Sequence, residues 1–141
     1  MMFRNQNKLF VAGSLVLLFT VSMAFKGRKL ERLSDGTWGG QHIQFEVSDG
    51  SVTIEYDCAH GLIPGPLTFD SQGLFSWRGT YTRERGGPIR LGEKPNNQTA
   101  IYSGSIKGDT MTLTLRVENS SLEPQTFTLM RDSVGRVFKC K

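Results

Sequence analysis

Residues 36–141 predict an all-β domain, an antiparallel up-and-down barrel of about eight short strands. Three observations predict it. Apolar and polar residues alternate with period two in run after run, as in Ile43-Gln44-Phe45-Glu46-Val47 and Met111-Thr112-Leu113-Thr114-Leu115-Arg116-Val117. Short clusters of turn residues separate the runs. No run beyond the first 25 residues carries a helical period. A meander of this kind leaves two unpaired edges unless it closes on itself, and closure into a barrel removes both. A two-sheet sandwich is the alternative. It needs a long crossover, and only residues 84–98 could supply one.

The first run is Gln41 to Val47, with Ile43, Phe45 and Val47 on the inward face. Ser48-Asp49-Gly50-Ser51 follows, and an Asp-Gly between alternating runs predicts a tight hairpin of primed type. The return run is Val52 to His60, with Val52, Ile54, Tyr56 and Cys58 inward and His60 at the rim. Gly61 to Pro66 reads as a loop, because its two prolines lack ladder donors. Leu67-Thr68-Phe69 is a short strand, Asp70 to Gly73 a turn, and Leu74 to Tyr81 a strand with Phe75, Trp77, Gly79 and Tyr81 on one face. Residues 84–98 are the longest irregular stretch. Thr99–Ile106 and Met111–Val117 flank a second tight turn at Lys107-Gly108-Asp109-Thr110. Phe127 and Leu129 anchor a further strand, and Arg136 to Cys140 reads as the last.

The barrel is preceded by a leader and a linker. Arg4 and Lys8 stand before an uncharged run of 17 residues, Leu9 to Phe25, in which Ser22 and Ala24 are the small residues of a cleavage site. Residues 1–24 are expected to be a signal peptide or, if uncleaved, a single-span anchor helix, with residues 25–35 as linker. Lys26, Arg28, Lys29 and Arg32 resist translocation, while Arg4 and Lys8 oppose them on the other flank, so charge bias decides little. The strand-rich body and the cysteine pair favour a secreted or periplasmic protein, with membrane anchoring through residues 9–25 as the alternative. Without residues 1–24 the chain keeps 15 basic and 13 acidic residues, a balance too mild to argue for nucleic acid. Cys58 and Cys140 form an even pair and are expected to be bonded, stabilising the fold by about 4–5 kcal/mol in the chain-entropy model.

Gly36-Thr37-Trp38, the meander and the late strand resemble the lipocalin-like, or calycin, barrels. The chain is also similar to small uncharacterised bacterial exported proteins, through Tyr56-Asp57-Cys58-Ala59-His60-Gly61, Tyr102-Ser103-Gly104 and Met111-Thr112-Leu113-Thr114. The calycin resemblance implies that Gly36 and Trp38 plug the closed end and that a late basic residue covers the indole. Arg131 is the first choice for it and Arg136 the second. No activity comes with either resemblance.

Three functions fit these residues. In the first, Phe75, Trp77, Tyr81, Tyr102 and Met111 line a pocket for a small apolar ligand, or the barrel binds a protein partner. In the second, the chain is a periplasmic inhibitor or interaction module acting through loops 61–66 and 84–98; small disulfide-bonded barrels that block cell-wall hydrolases have this size and layout. In the third, Cys58 and His60, with His42, make a nucleophilic pair or a metal site. An exported cysteine with one partner is bonded rather than free, and zinc wants three or four ligands, which disfavours the third. No cofactor is expected. Gly39-Gly40 and Gly86-Gly87 are not phosphate loops, because no helix follows either pair.

Overall fold

A computed structural model describes residues 27–141. The expected leader and the span 9–25 lie outside these residues. The described chain forms ten strands: β1 Glu31–Arg32, β2 Gly36–Gly40, β3 Ile43–Ser48, β4 Ser51–Tyr56, β5 Ala59–Ile63, β6 Thr68–Phe69, β7 Leu74–Arg83, β8 Asn97–Lys107, β9 Thr110–Val117 and β10 Gln125–Arg131. Eight of them close into an antiparallel barrel in the order β10-β2-β3-β4-β5-β7-β8-β9. The seam pairs Arg131 with Trp38 and Met130 with Gly39. No helix occurs among the described residues.

The barrel has eight staves, as the alternation predicts, but five assignments change. Gly36-Thr37-Trp38-Gly39-Gly40 is itself a stave, turned into β3 by Gln41-His42 with His42 at φ 65°. The run Val52 to His60 breaks at Asp57-Cys58, where Cys58 takes φ 52°, so Cys58 sits in a turn and not on the inward face. The chain then re-enters the barrel as β5, in the stretch whose composition reads as loop; Pro64 and Pro66 fall just beyond it and cost the ladder nothing. Leu67-Thr68-Phe69 contributes no stave. Its β6 pairs with β1, in the stretch expected as linker, as a two-stranded flap. Residues 136–140 are not a strand, and only Arg136 bridges, in parallel, to Gln41. The Asp49-Gly50 hairpin keeps its primed geometry, with φ 50° and 79°.

The chain directions give the barrel two different ends. At one, Leu33 and Leu67 are buried beneath the flap, joined by a Leu33 N–H to Leu67 carbonyl bond of 2.9 Å. The Trp77 indole N–H donates to the Thr68 carbonyl at 2.8 Å and ties the flap down, and Phe75 stacks on Trp77 at 3.8 Å. The interior is filled by Trp38, Phe45, Ile54, Tyr102, Met111 and Leu129, all essentially inaccessible. At the other end lie the turns 41–42 and 57–58 and the loops 84–96 and 118–124. Loop 64–67 belongs to the closed end and loop 84–96 to the open end, so the stretches 61–66 and 84–98 do not form one surface.

After Arg131 the chain doubles back over the outside of β2. A Cβ on Gly39 would stand 2.4 Å from the Gly135 nitrogen, and one on Gly40 would stand 2.2 Å from the Thr128 carbonyl oxygen. The glycine pair is there because backbone approaches it from two sides. The tail, residues 132–141, then runs across the rim of the open end.

Candidate functional site

The open end holds a cleft of about 610 Å³. Its apolar part comes from Tyr56 at the end of β4, Tyr81 on β7, Phe127 on β10 and Leu122 in the preceding loop. Period two puts Tyr56 and Tyr81 inward at the last turns of their strands, where the filled core gives way to the mouth. The Tyr56 ring centroid lies 5.6 Å from that of Tyr81 and 5.5 Å from that of Phe127, both tilted, as aromatic quadrupoles prefer. His42, Asp57, Cys58, Arg83, Gln125 and Thr126 complete the lining.

Two phenols below the mouth differ in their hydrogen bonding. Tyr102 donates to the Thr80 carbonyl at 2.6 Å, and burial pushes its pKa up to about 12. The Tyr56 hydroxyl is buried, with the Tyr102 hydroxyl beside it and no other hydrogen-bonding group among the described residues. Burial, and next the neighbouring Tyr102 and Tyr81, push its pKa well above the ordinary phenol value. Both groups therefore keep their protons at neutral pH and act as hydrogen-bonding groups, not as bases.

The rim is a polar clasp on the tail. The Asp57 carboxylate accepts the Phe138 N–H at 2.7 Å and pairs with His42 Nδ1 at 2.5 Å. The Phe138 N–H is the main reason its pKa lies below the usual carboxylate range; burial opposes this and His42 assists. Lys139 Nζ donates to the Ala59 carbonyl at 3.1 Å and to both oxygens of Glu84, and also pairs with Glu55. His60 Nδ1 meets Glu84 at 2.8 Å. Burial would raise the Glu84 carboxyl, but the bonds from His60 and Lys139 outweigh it and lower the pKa. Burial would likewise lower Lys139, but Glu55 and Glu84 raise it. Cys58 and Cys140 are joined, with Cα atoms 5.0 Å apart.

This geometry leaves no thiol for a Cys/His nucleophilic pair. Cys58 is not a free thiol, His60 turns to Glu84 and His42 turns to Asp57. Among the described residues no group of three or more His, Cys, Asp or Glu is placed to hold a metal. Of the five residues named for a ligand, Tyr81 reaches the cleft, while Phe75, Trp77, Tyr102 and Met111 lie in the filled interior. Tyr56 and Phe127 carried a signal, inward parity at a strand end. Arg83, Leu122 and Gln125 carried none, because they meet only through pairing between distant strands. At the closed end the Arg131 guanidinium lies over the Trp38 ring, and Gly36 enters the strand at φ 149°. Arg136 instead exchanges backbone bonds with Gly40 and His42, at 3.0 and 2.7 Å. Comparison with protein-family models, with curated proteins and with solved structures gives no match, so the site is read from its own geometry.

Proposed function

We propose that this chain is a non-enzymatic exported binding protein that takes a small, largely apolar ligand at the open end of its barrel. One observation carries the reading: Tyr56, Tyr81, Leu122 and Phe127 give the cleft at the open end an apolar, largely aromatic wall. The cleft volume, about 610 Å³, falls in the range of small-molecule sites. Because the interior is filled, the ligand sits across the mouth against Tyr56, Tyr81, Leu122 and Phe127 and does not enter the barrel. The bonded cysteines support export, since such bonds persist in oxidising compartments. Trp38 under Arg131 supports the likeness to calycin barrels.

The test is native mass spectrometry of the full chain purified from its own host, beside Phe127→Ala. The expected result is a retained small molecule whose occupancy falls about 5-fold or more in the variant, the equivalent of about 1 kcal/mol of lost apolar contact. A bare polypeptide mass for both proteins removes the proposal.

A further inference from the structure

The loop between β7 and β8 lies outside the cleft, and its chemistry points to a different kind of ligand. Ile89 and Leu91 are 87% and 107% exposed, the extreme among large apolar residues here. An unconstrained loop that holds such residues in water gains nothing from doing so. This loop is constrained at both feet and across its neck. At the first foot the Glu84 N–H donates to the Cys58 carbonyl at 2.8 Å, and the Glu84 carboxylate is held by His60 and Lys139. Gly86 lies so close to the tail that a Cβ there would meet the Lys141 carbonyl oxygen at 2.2 Å. At the second foot Asn97 Oδ1 accepts from the Thr82 hydroxyl at 2.5 Å. Across the neck Arg85 pairs with Glu93. At the tip the Glu93 N–H donates to the Arg90 carbonyl at 3.1 Å, and the Arg90 N–H donates to Glu93 Oε2 at 3.4 Å. Gly87 and Gly92, at φ 98° and 84°, make the two bends.

The charge pattern adds a second, independent observation. Both acids of the segment, Glu84 and Glu93, are consumed by these internal bonds. Arg90 and Lys94 make no ion pair among the described residues. The loop therefore offers two aliphatic side chains with two uncommitted cations, Arg90 and Lys94, beside them in the sequence, on a backbone held by these bonds. Ordering before binding lowers the entropic cost of association, and uncommitted cations steer an acidic partner and fix its register.

We propose that residues 85–94 are a pre-ordered docking loop for a partner protein whose contact surface is an apolar slot edged with carboxylates. A fixed, narrow loop suits a slot of matching shape. An anionic bilayer would accept the same side chains but has no use for the bracing, and the chain enters the barrel at the opposite end, through β1.

The test places a photo-crosslinking benzoylphenylalanine at position 91 of the full chain in its own host. A second protein carries it at position 74, which is exposed at the closed end. The expected result is one adduct from position 91 and none from position 74, with the attachment point on the partner mapping beside Asp or Glu residues. The yield should fall at least 5-fold in Arg90→Glu/Lys94→Glu and also in the milder Arg90→Gln/Lys94→Gln. No adduct from position 91, equal adducts from both positions, or a yield blind to the charge changes would overturn the proposal. So would flotation of the purified chain with phosphatidylglycerol/phosphatidylcholine vesicles that Ile89→Ser/Leu91→Ser abolishes.

Discussion

The guanidinium carbon of Arg131 stands 4.5 Å from the centre of the Trp38 ring, and Arg131 Nε also meets Asp109 at 3.2 Å. Arg131 follows Met130 on the strand that closes the barrel, so this pair bolts the last stave to the first. Trp38→Ala should cost about 3–5 kcal/mol, the range for emptying a fully buried aromatic site. Arg131→Ala should cost about 0.5–1 kcal/mol, because the contact is half-exposed. Urea unfolding followed by Tyr and Trp fluorescence separates the two. A Trp38→Ala protein as stable as the parent would show that the indole does not plug the barrel.

Tyr56→Phe should leave the ligand-free protein as stable as the parent, or more stable by up to about 1 kcal/mol. The hydroxyl it removes is buried with only the Tyr102 hydroxyl beside it, which is already bonded to the Thr80 carbonyl, so the change relieves a desolvation cost and gives up one long contact. Thermal unfolding of delipidated protein checks the sign. A loss above about 1 kcal/mol would mean that the hydroxyl has a structural partner after all.

Opening the Cys58–Cys140 link should destabilise by about 4 kcal/mol, as the bond closes a separation of 82 residues. The loss should begin in the tail. In Cys58→Ser/Cys140→Ser, amide exchange should rise first at Phe138 and Glu84, whose N–H groups are bonded across the rim, before it rises in β3 or β9. Uniform acceleration across all strands would contradict a rim-first opening.

The clasp on the tail should depend on pH at both extremes. Asp57 and Glu84 have lowered pKa values in the fold, so their contribution is full above the ordinary carboxylate values of about 3.9 and 4.3 and is lost as pH falls through the folded ones. Lys139 is raised, so its contribution is full below about 10.4 and is lost as pH rises through its folded value. Resistance of the tail to limited proteolysis should therefore fall as pH drops through the folded carboxylate values and again as it rises above about 10. Asp57→Asn should blunt the acid limb and leave the alkaline limb in place.

Local pattern carried most of the fold. The alternation of Ile43-Phe45-Val47 and of Met111-Leu113-Leu115-Val117 put those side chains inward without ambiguity, and Asp49-Gly50 named its own turn. The break at Asp57-Cys58 was invisible because the alternation runs straight through it, Tyr56 and Cys58 sharing a parity that the turn then cancels. β5 was hidden for a related reason. Its inward residues are Ala59, Gly61 and Ile63, and a glycine facing the core adds no hydrophobic signal. There the space is taken by Tyr102, whose hydroxyl oxygen would lie 2.4 Å from a Cβ on Gly61. The rim clasp was not legible at all. His42, Asp57 and Phe138 meet across 15 and 81 residues of sequence, and nothing local to any of them encodes the others.

The bond between Cys58 and Cys140 also decides how the molecule carries a mechanical load. It converts residues 58–140 into a covalent ring, so tension applied between residue 27 and Lys141 passes along residues 27–58 and leaps directly to the tail. Only β1 to β4 can be drawn out. β5 to β10 stay inside the ring and bear no pull, so oxidised protein stretched from its two ends should yield a contour gain from fewer than a third of the described residues.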